Sequence, residues 1–443
     1  MFMKRRLLAI LITALLLSNL VIGLRIQSLS AAGDDKEKDS AYKNMELFTQ
    51  VMEIVRKDYV DGEKLSYQDL TYNALKGLLG SLDPHCQFMG PPEFNEMKQE
   101  TIGEFGGIGV VIGLKDGFIT VISPMEDSPG AKAGLLPGDR IIRIEGKAAD
   151  KLSLPDAVKQ LRGPRGTKVN ITIHRPKTRG VKDLTIVRDI IKVESVKDAK
   201  MVSDKIGYIR ITQFNDPTSN ELEEALLKLE KEKMEGLVID LRNNPGGLLD
   251  SAVDVCGKFL PRGELVVYTE GRNPSVKTMY RVRESKQHPK YPIAVLINAG
   301  SASGSEIVAG ALQDTKRAVI VGETSFGKGS VQSVMPLRDG SALRLTTAKY
   351  YTPSKKVIHE HGITPDIMVP LSDEDWMQVQ TQRNQAAMDA AGGEGEKPPA
   401  DASDESPDKK QAPARDIQLD RAVDLLKSIN IYLQRKGGRL AAN

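Results

Sequence analysis

The sequence of 443 residues predicts a multidomain α/β protein with helical segments at both ends. Residues 186–370 alternate apolar strand patterns with amphipathic helix patterns, which indicates a largely parallel sheet covered by helices. Residues 103–175 instead contain short strands separated by glycine turns, which is typical of a small separate domain. Apolar stripes at helical spacing lie before and after these two regions.

The composition is that of an ordinary globular protein, with 40% hydrophobic and 27% charged residues. A net charge of +3 over this length provides no basic surface for nucleic acid, and 5% aromatic residues are too few for a base-stacking surface. The two cysteines, Cys86 and Cys256, lie far apart and form no metal-binding pair. We therefore expect no nucleic acid partner, no cofactor and no metal.

The first 33 residues have the pattern of an export signal. Lys4, Arg5 and Arg6 precede an uncharged run of eighteen residues, LLAILITALLLSNLVIGL, and the small residues of SLSAAG follow. The run is also close to the minimum length that spans a bilayer, so both cleavage and retention as a membrane anchor remain open. In either case we expect the body of the protein in the periplasm or at the outer face of the cytoplasmic membrane.

Residues 40–100 are predicted to be helical. A first apolar stripe and a second one, separated by a turn at Asp61 and Gly62, recur at spacings of three and four residues. The stripes comprise Leu47, Phe48, Val51, Ile54 and Val55, then Leu70, Ala74, Leu75, Leu78 and Leu79. Both stripes need a covering surface, which is either the other helix or a second copy of the chain.

Residues 101–178 carry two motifs in a specific order, G-I-G-V and then A-G-L-x-x-G-D-x-I. Together with the succession of strands and helices, they make this segment resemble a PDZ domain. The resemblance implies that a peptide adds as a strand at the sheet edge, with its terminal carboxylate in a nest of backbone N–H groups. The loop Gly106–Gly109 would form that nest, and the predicted peptide-binding residues are Gly107, Ile108, Gly109 and Val110. The simpler alternative is that these glycines only form hairpin turns.

The stretch GETSFGKGSVQ satisfies the opening of a nucleotide-binding P-loop, G-x-x-x-x-G-K, with Lys328 as its lysine. A true P-loop continues with Ser or Thr and a helix, whereas here Gly329 follows and SVQSVMPL has the pattern of a strand. Upstream, the strand IAVLINA leads into GSASGSE, which would hold a serine in a rigid turn before a helix. A lysine that burial keeps neutral can serve as the base for such a serine.

The motifs N-A-G-S-A-S-G-S-E and F-G-K-G-S-V-Q, with 25 residues from serine to lysine and four from lysine to glutamine, closely resemble those of the carboxy-terminal processing peptidases of family S41. D-L-R-N-N-P-G-G, L-R-G-P-R-G-T and G-I-T-P-D extend the resemblance over about 330 residues. It implies a core of crotonase-like or ClpP-like α/β layers, with Ser303 as nucleophile, Lys328 as general base and Gln332 orienting the lysine. Most relatives carry Ala where this chain has Gly304, but backbone donation needs no side chain.

An oxyanion hole requires two N–H donors, which we assign to Gly304 and to Gly246 in the turn N-N-P-G-G. His359 and His361 form an H-x-H pair without a third ligand, so we expect no metal there. Arg162 ends the last helix of the PDZ-like segment, where a solvated side chain is the ordinary outcome. The resemblance suggests instead that Arg162 couples peptide binding to the active site.

Residues 391–415 lack large apolar side chains and are predicted to be a disordered linker before a terminal helix. The predicted segments are the export segment 1–33, the helical region 40–100, the PDZ-like domain 101–178, the peptidase core 179–372, the linker 385–415 and the terminal helix 416–437.

The predicted function is a serine endopeptidase that recognises apolar carboxyl-terminal tails of proteins through PDZ. We also expect a homodimer through the terminal helices and allow for an adaptor protein. The alternatives are a catalytically inactive PDZ scaffold and an acyl-CoA hydratase-like enzyme, the latter without an evident nucleotide-binding surface.

Overall fold

A computed structural model describes residues 40–61, 65–115, 117–125, 127–150, 152–178, 180–273, 275–285, 288–390 and 415–440. The chain divides into two compact units, with the boundary between Pro84 and His85. The predicted export segment and residues 391–414 of the predicted linker lie outside the described residues. Across the residues described, no helix combines the length and the apolar content needed to cross a bilayer.

The first unit contains two helices, α1 (Ala41–Asp58) and α2 (Tyr67–Gly80). The hydroxyl of Ser66 caps α2 by accepting a hydrogen bond from the Asp69 N–H at 2.9 Å, which satisfies a free donor of the first turn. The apolar stripe predicted on α1 is largely exposed. Its exposed members are Leu47, Phe48, Val51 and Ile54.

The segment that resembles a PDZ domain forms a sheet with two short helices. Its elements are β3 (Val110–Lys115), β4 (Phe118–Pro124), α4 (Pro129–Lys132), β5 (Arg140–Ile144), β6 (Lys147–Ala148), α5 (Leu154–Leu161), β7 (Lys168–Arg175) and β8 (Gly180–Val187). The strand order is β3-β4-β5-β7-β8, with β6 beside β5, so β3 lies at an edge. In β7 the alternate residues Val169, Ile171 and Ile173 are buried, the period expected of a half-buried strand.

The sheet of this segment continues past residue 178, the predicted end of the domain. β8 pairs with β7 along its whole length and therefore belongs to the same sheet. The chain enters the segment through β2 (Glu104–Gly107) and leaves it through β9 (Asp189–Lys192). These two strands pair antiparallel, so a two-stranded ribbon connects the segment to the core.

The core contains a six-stranded sheet in the order β10-β11-β12-β15-β16-β19. These strands are β10 (Val196–Ser203), β11 (Ile206–Ile211), β12 (Gly236–Asp240), β15 (Ile293–Ile297), β16 (Val319–Gly322) and β19 (Ile367–Met368). β10 is antiparallel to β11, and the remaining neighbours are parallel. Every residue of β12 and β15 is buried, as expected for parallel strands covered on both faces.

Helices cover both faces of this sheet. They are α6 (Thr218–Lys231), α7 (Leu249–Cys256), α8 (Gly304–Asp314) and α10 (Ile417–Leu440), and a further helix, α9 (Asp373–Ala390), precedes α10 in the chain. Residues of α6, α7 and α8 share one apolar cluster with Ile239 and Val295, while Leu426 of α10 packs with Val238 and Leu296 on the opposite face. The sequence did not predict α9, which extends to Ala390 and therefore into the segment assigned to a linker from residue 385.

A second, antiparallel sheet flanks the first. It consists of β1 (Gln87–Met89), β13 (Leu265–Gly271), β14 (Lys277–Arg281), β17 (Ser330–Pro336) and β18 (Ala342–Tyr351), and α3 (Pro91–Ile102) follows β1. The order is β1-β18-β13-β14, with β17 also pairing with β18. β1 lies within the region predicted to be wholly helical, so that prediction is wrong for this strand. β17 is the strand predicted after Gly329, where a P-loop would have a helix.

Candidate active site

Three loops with predicted site residues lie side by side at one edge of the six-stranded sheet. They follow β12, β15 and β16, which are parallel neighbours. In turn they contain Gly246, Ser303 and Lys328. The carboxyl ends of parallel strands are the usual position of ligand and catalytic sites in α/β proteins. The fold therefore gathers these predicted residues from three separate stretches of the chain.

Ser303 immediately precedes α8 and adopts a backbone conformation that is rare for a residue with a side chain. Its φ is 53° and its ψ is −110°. Such a conformation persists only where surrounding contacts impose it, and it is found preferentially at functional sites. The residue is buried, and its hydroxyl makes no capping hydrogen bond to the helix. The Ser303 side chain is thus held at a helix N-terminus without serving as its cap.

The two neighbouring serines have different environments. Ser301 donates from its hydroxyl to the carbonyl oxygen of Leu241 at 2.8 Å and accepts from the N–H of Asn298. Ser305 donates to the carbonyl oxygen of Asn244 at 2.9 Å. Both are fully buried and tie the Ser303 turn to the loop after β12. Their hydroxyls bind backbone groups, whereas the Ser303 side chain bonds to the side chain of Tyr350, which leaves the middle serine as the candidate nucleophile.

The predicted oxyanion donors flank Ser303, but only one of them is unengaged. Gly246 has a φ of 95°, and a Cβ added there would stand 2.7 Å from the Cβ of Ser303, so only glycine fits. Its N–H donates to the Oδ1 of Asn244 at 2.9 Å. The N–H of Gly304 has no hydrogen-bond partner among the described residues. A second donor would become available if the Asn244 side chain moved.

Lys328 lies in the loop between β16 and β17, after Gly327 with a φ of 90°. Its side chain is half-buried. Burial lowers the pKa of Lys328, and the positive charge of Arg344 lowers it further, while the negative charge of Glu306 raises it. The net change is toward the neutral amine that a general base requires. Within the described residues, the Nζ atom forms no hydrogen bond to Ser303 or to any other group.

Gln332, on β17, lies four residues after Lys328, and among the described residues it forms no hydrogen bond with the amine of Lys328. The side-chain nitrogen of Gln332 donates to the hydroxyl of Ser330 at 2.9 Å and to that of Thr346 at 3.3 Å. The predicted orienting bond from Gln332 to Lys328 is therefore not formed in this conformation. The structure places the predicted residues in one region without forming the predicted chain of side-chain bonds.

Sequence reasoning missed two residues beside the predicted nucleophile. Glu306 is fully buried, and its Oε2 atom accepts a hydrogen bond from the Ser303 N–H at 2.8 Å. Burial raises the pKa of Tyr350, whereas a hydrogen bond with the Ser303 side chain lowers it; the net shift is upward. The signal for Glu306 was available, since an acidic residue three positions after a helix cap commonly binds the cap N–H. Tyr350 lies on a distant strand and has no such signal.

The predicted carboxylate loop of the PDZ-like sheet lies next to its edge strand β3. Gly109 has a φ of 66°, and a Cβ there would stand 2.3 Å from the Cβ of Ser128. Ile108, predicted to bind the peptide, is only 2% exposed and packs in the core of this sheet, so its side chain does not border an open pocket. Val110 is half-buried, and Gly107 ends β2. What the loop presents to a ligand is mainly its backbone.

Arg162 lies at the C-terminal end of α5 and contacts elements outside the PDZ-like sheet. Its guanidinium forms ion pairs with Glu100 at 3.2 Å and with Glu96 at 3.7 Å, both on α3. It also lies over the ring of Phe105 on β2, at 4.6 Å from the ring centre. Arg162 is therefore not simply solvated, because its contacts link the end of α5 to α3 and to β2, a strand of the ribbon that leads to the core.

The two histidines, His359 and His361, lie in a loop that packs against the turn of Lys328. The Nδ1 atom of His361 lies 2.7 Å from the carbonyl oxygen of His359. The backbone of His359 packs so closely on Gly329 that a Cβ on that glycine would stand 2.2 Å from the His359 nitrogen. The loop with the two histidines thus supports the turn that contains Lys328.

Two family models match parts of this chain. The family model described as Peptidase family S41 matches residues 205–369, and the model described as PDZ domain matches residues 120–175. A solved structure, the photosystem II D1 C-terminal processing protease, is 30% identical, with coverage of 73% of this chain and 92% of that chain and a TM-score of 0.43.

Curated relatives extend the match over most of the chain. A carboxy-terminal-processing protease of Bartonella bacilliformis is 46% identical over 339 residues, which are 75% of this chain and 76% of the relative. The carboxy-terminal processing proteases CtpA and CtpB of Bacillus subtilis are 36% and 37% identical, with coverage of 84% and 78% of this chain and 79% and 71% of their own lengths. This chain is a protease that belongs to the carboxy-terminal processing proteases, PDZ-containing serine peptidases of family S41.

Proposed function

We propose that the chain cleaves proteins through an acyl-enzyme formed on Ser303, with Lys328 as general base, after PDZ has bound the substrate's carboxyl-terminal tail. The observation that carries the proposal is the strained, buried Ser303 turn beside a half-buried lysine with a lowered pKa. A serine hydroxyl is a weak nucleophile until a base removes its proton, and a neutral lysine amine can do so.

The proposed reaction has two halves. The amine of Lys328 takes the proton from the Ser303 hydroxyl as the oxygen attacks the substrate carbonyl carbon, and backbone N–H groups of Gly304 and Gly246 bind the resulting oxyanion. The Lys328 ammonium then gives the proton to the leaving amine as the peptide C–N bond breaks. In the second half, Lys328 takes a proton from water as the water oxygen attacks the acyl carbon, and it returns that proton to the Ser303 oxygen as the ester C–O bond breaks.

We propose that the described conformation is a resting one. Lys328 has no hydrogen bond to Ser303, Gln332 is bonded to Ser330 and Thr346, and the Gly246 N–H is occupied by Asn244. Catalysis would require the amide of Gln332 to turn toward Lys328. It would also require the side chain of Asn244 to move away, so that the Gly246 N–H becomes free to bind the oxyanion. Movements that complete the catalytic site before the reaction are typical of gated enzymes.

We propose that peptide binding at PDZ provides the gate. A substrate tail would add as a strand beside β3, and its carboxylate would bind the backbone of the loop that includes Gly107 and Gly109. Arg162 would transmit the binding event, because it joins α5 to Glu100 and Phe105 at the connection with the core.

The remaining proposals concern partners and location. The exposed stripe of α1 supports a homodimer through the amino-terminal helices, whereas the inward face of α10 packs on its own sheet. We expect apolar protein tails as substrates and an adaptor as an additional partner. The charged and apolar pattern of residues 1–33 supports export to the periplasm or the outer face of the cytoplasmic membrane, with or without a retained tether.

The test is cleavage of an unfolded protein that ends in an apolar tail. We expect Ser303→Ala and Lys328→Ala each to reduce the rate by about 10³-fold or more, while circular dichroism and unfolding midpoints stay near those of the parent. Ser275→Ala and Lys231→Ala, at exposed positions, are matched controls with unchanged rates. A substrate whose last residues are replaced by Asp should be cleaved more slowly. Full activity in either site variant would refute the mechanism.

The rival function is a PDZ scaffold with an inactive α/β domain. It predicts tail binding that is the same in the parent and in Ser303→Ala, and no cleavage by either protein. The assay above therefore separates the two functions in one experiment.

A further inference from the structure

The carboxylate of Glu306 joins the two loops to which the proposed mechanism assigns catalysis. Its Oε1 atom accepts hydrogen bonds from the Ser325 hydroxyl at 2.6 Å and from the Gly327 N–H at 2.7 Å. Its Oε2 atom accepts from the Ser303 N–H at 2.8 Å and from the Lys328 N–H at 3.0 Å. Two of these donors are therefore the backbone groups of the proposed nucleophile and the proposed base.

One oxygen atom bridges these two backbone groups, in addition to a direct hydrogen bond between the same loops from the Phe326 N–H to the Ser301 carbonyl oxygen at 2.9 Å. Ser303 follows β15 and Lys328 follows β16, so no continuous helix or strand sets their relative position. Because both N–H groups donate to the same Oε2 atom, their nitrogens lie within two hydrogen-bond lengths of each other. A displacement of either loop would cost a hydrogen bond to a buried charged acceptor, which is stronger than one between neutral groups.

The chemistry of the four contacts requires a carboxylate. All four partners donate, and an ionised carboxylate is a side chain that offers acceptors on both oxygens and no donor. A glutamine would have to direct its NH₂ group at two N–H or O–H donors, which leaves buried polar groups unpaired. In the described part of the chain, no lysine or arginine side chain forms an ion pair with Glu306, so donors from these loops alone compensate its burial.

Capping of α8 does not explain this arrangement. A cap requires only the contact between Glu306 and the Ser303 N–H, which satisfies a free donor near the helix start. The other three contacts reach the loop of the lysine, across the strand β16. The backbone of Ser303 is also strained, and such a conformation needs contacts that hold it in place.

We propose that Glu306 is a positioning residue that aligns Ser303 with Lys328 by binding the backbone of both through one buried carboxylate. The inference rests on the proposed function, because it assigns no chemistry to Glu306 itself. It has an electrostatic consequence as well. The negative charge of Glu306 opposes the effects of burial and of Arg344 on the amine of Lys328, so it also limits how readily that amine becomes neutral.

The experiment measures kcat and KM for a peptide substrate over a range of pH in Glu306→Gln. We expect kcat to fall by about 100-fold or more, because misalignment of a nucleophile and its base is costly, with little change in KM. The acidic limb of the kcat profile should move to lower pH, because removal of a nearby negative charge lowers the pKa of Lys328. A merely structural role for Glu306 would not move that limb in this direction.

Two further variants keep the test decisive. Glu306→Asp retains the charge but shortens the reach, so kcat should fall while the acidic limb stays near its original pH. Glu323→Gln, in the same loop as Lys328, is the matched control and should leave both quantities unchanged. If Glu306→Gln does not fold, the result for Glu306→Asp decides, and an unreduced kcat in that variant overturns the inference.

The outcome also separates this inference from the mechanism on which it rests. If Lys328→Ala keeps full activity, the proposed base is wrong, and the proposed function fails first. If Lys328→Ala is inactive but folded Glu306→Gln has the parent kcat and an unmoved acidic limb, the mechanism stands and only the positioning role of Glu306 is refuted.

Discussion

Two fully buried carboxylates, Asp240 and Glu306, are compensated in different ways. Asp240, the last residue of β12, forms ion pairs with Arg242 at 2.7 Å and with Arg383 at 3.0 Å and accepts a hydrogen bond from Tyr208. Among the described residues, Glu306 receives only three backbone N–H groups and one hydroxyl. Burial raises the pKa of Asp240, but Arg242 outweighs it and the net shift is downward, whereas burial raises the pKa of Glu306 overall.

The difference shows that the Asp240 cluster joins distant parts of the chain, whereas Glu306 joins two neighbouring loops. Arg242 also binds Asp416, the residue just before α10, at 2.8 Å, so the Asp240 cluster joins the end of β12 to the carboxyl-terminal segments. Glu306 instead joins two neighbouring loops and carries its negative charge near Lys328, without an ion pair to any lysine or arginine that the structure describes. A buried ion cluster stabilises distant chain segments, whereas a carboxylate bound by neutral donors can align a site and tune its electrostatics.

The largest expected effect comes from breaking the ion cluster. Arg242→Ala leaves Asp240 and Asp416 without their main partner, so we expect the free energy of unfolding to fall by roughly 3–5 kcal/mol. Urea unfolding followed by circular dichroism measures the change. Arg272→Ala, at an exposed arginine, is the control and should differ by less than about 0.5 kcal/mol. Equal stability of the two variants would show that the cluster does not stabilise the fold.

The pH dependence of stability should have opposite signs at the two carboxylates. The folded pKa of Asp240 is lowered, so its contribution is present above its unfolded value of 3.8 and is lost as the pH falls. The folded pKa of Glu306 is raised, so its contribution is present below its unfolded value of 4.5 and is lost as the pH rises through the folded pKa.

Unfolding midpoints measured against pH test this contrast. The deficit of Asp240→Asn relative to the parent should shrink in acid, whereas that of Glu306→Gln should shrink as the pH rises above 4.5. Parallel curves for the two variants would contradict the distinction between the sites.

A smaller effect should follow from removing the positive charge of Arg344, whose effect on the pKa of Lys328 is opposite in sign to that of Glu306. Arg344 lowers the pKa of Lys328, so Arg344→Gln should raise that pKa and move the acidic limb of kcat/KM to higher pH, the reverse of Glu306→Gln. The plateau at high pH should change by less than about threefold, because Arg344 does not align Ser303. A shift to lower pH would show that Arg344 acts by another route.

The smallest effect on stability is expected at an exposed carboxylate pair. Arg162→Gln removes ion pairs to Glu96 and Glu100, whose side chains are 59% and 57% exposed, so the free energy of unfolding should change by less than about 1 kcal/mol. Under the proposed coupling, cleavage of a tailed substrate should nevertheless slow by about tenfold. Unchanged cleavage would leave Arg162 with only a local packing role.

Much of the core fold follows from patterns in the sequence. The stretches KIGYIRITQF, GLVIDLR and SVQSVMPL predict β11, β12 and β17, because apolar runs and their bounding turns are local signals. The helix α9 gives no such signal, since its sequence lacks a continuous apolar stripe. β1 has three residues, too few for a recognisable period. The end of the PDZ-like sheet was misplaced because β8 is identified only by its pairing with β7.

The candidate site likewise has some features that local sequence motifs predict and others that depend on contacts in space. Motif resemblance selected Ser303, Lys328 and Gln332, which remain predictions until the variants are measured. The spacing of four residues between Lys328 and Gln332 predicts a contact, but hydrogen bonds to Ser330 and Thr346 hold the glutamine elsewhere. The burial of Ile108 likewise depends on packing against strands that come later in the chain.

The sequence by itself determined the order of strands and helices and the chemical groups available in each loop, because periodicity and turn residues act over a few positions. Only the tertiary structure decided that Lys328 is half-buried near Arg344 and that one oxygen of Glu306 binds two loops. The physical reason is that burial and hydrogen bonding depend on neighbours in space, and the Glu306 contact with the Lys328 N–H joins residues 22 positions apart.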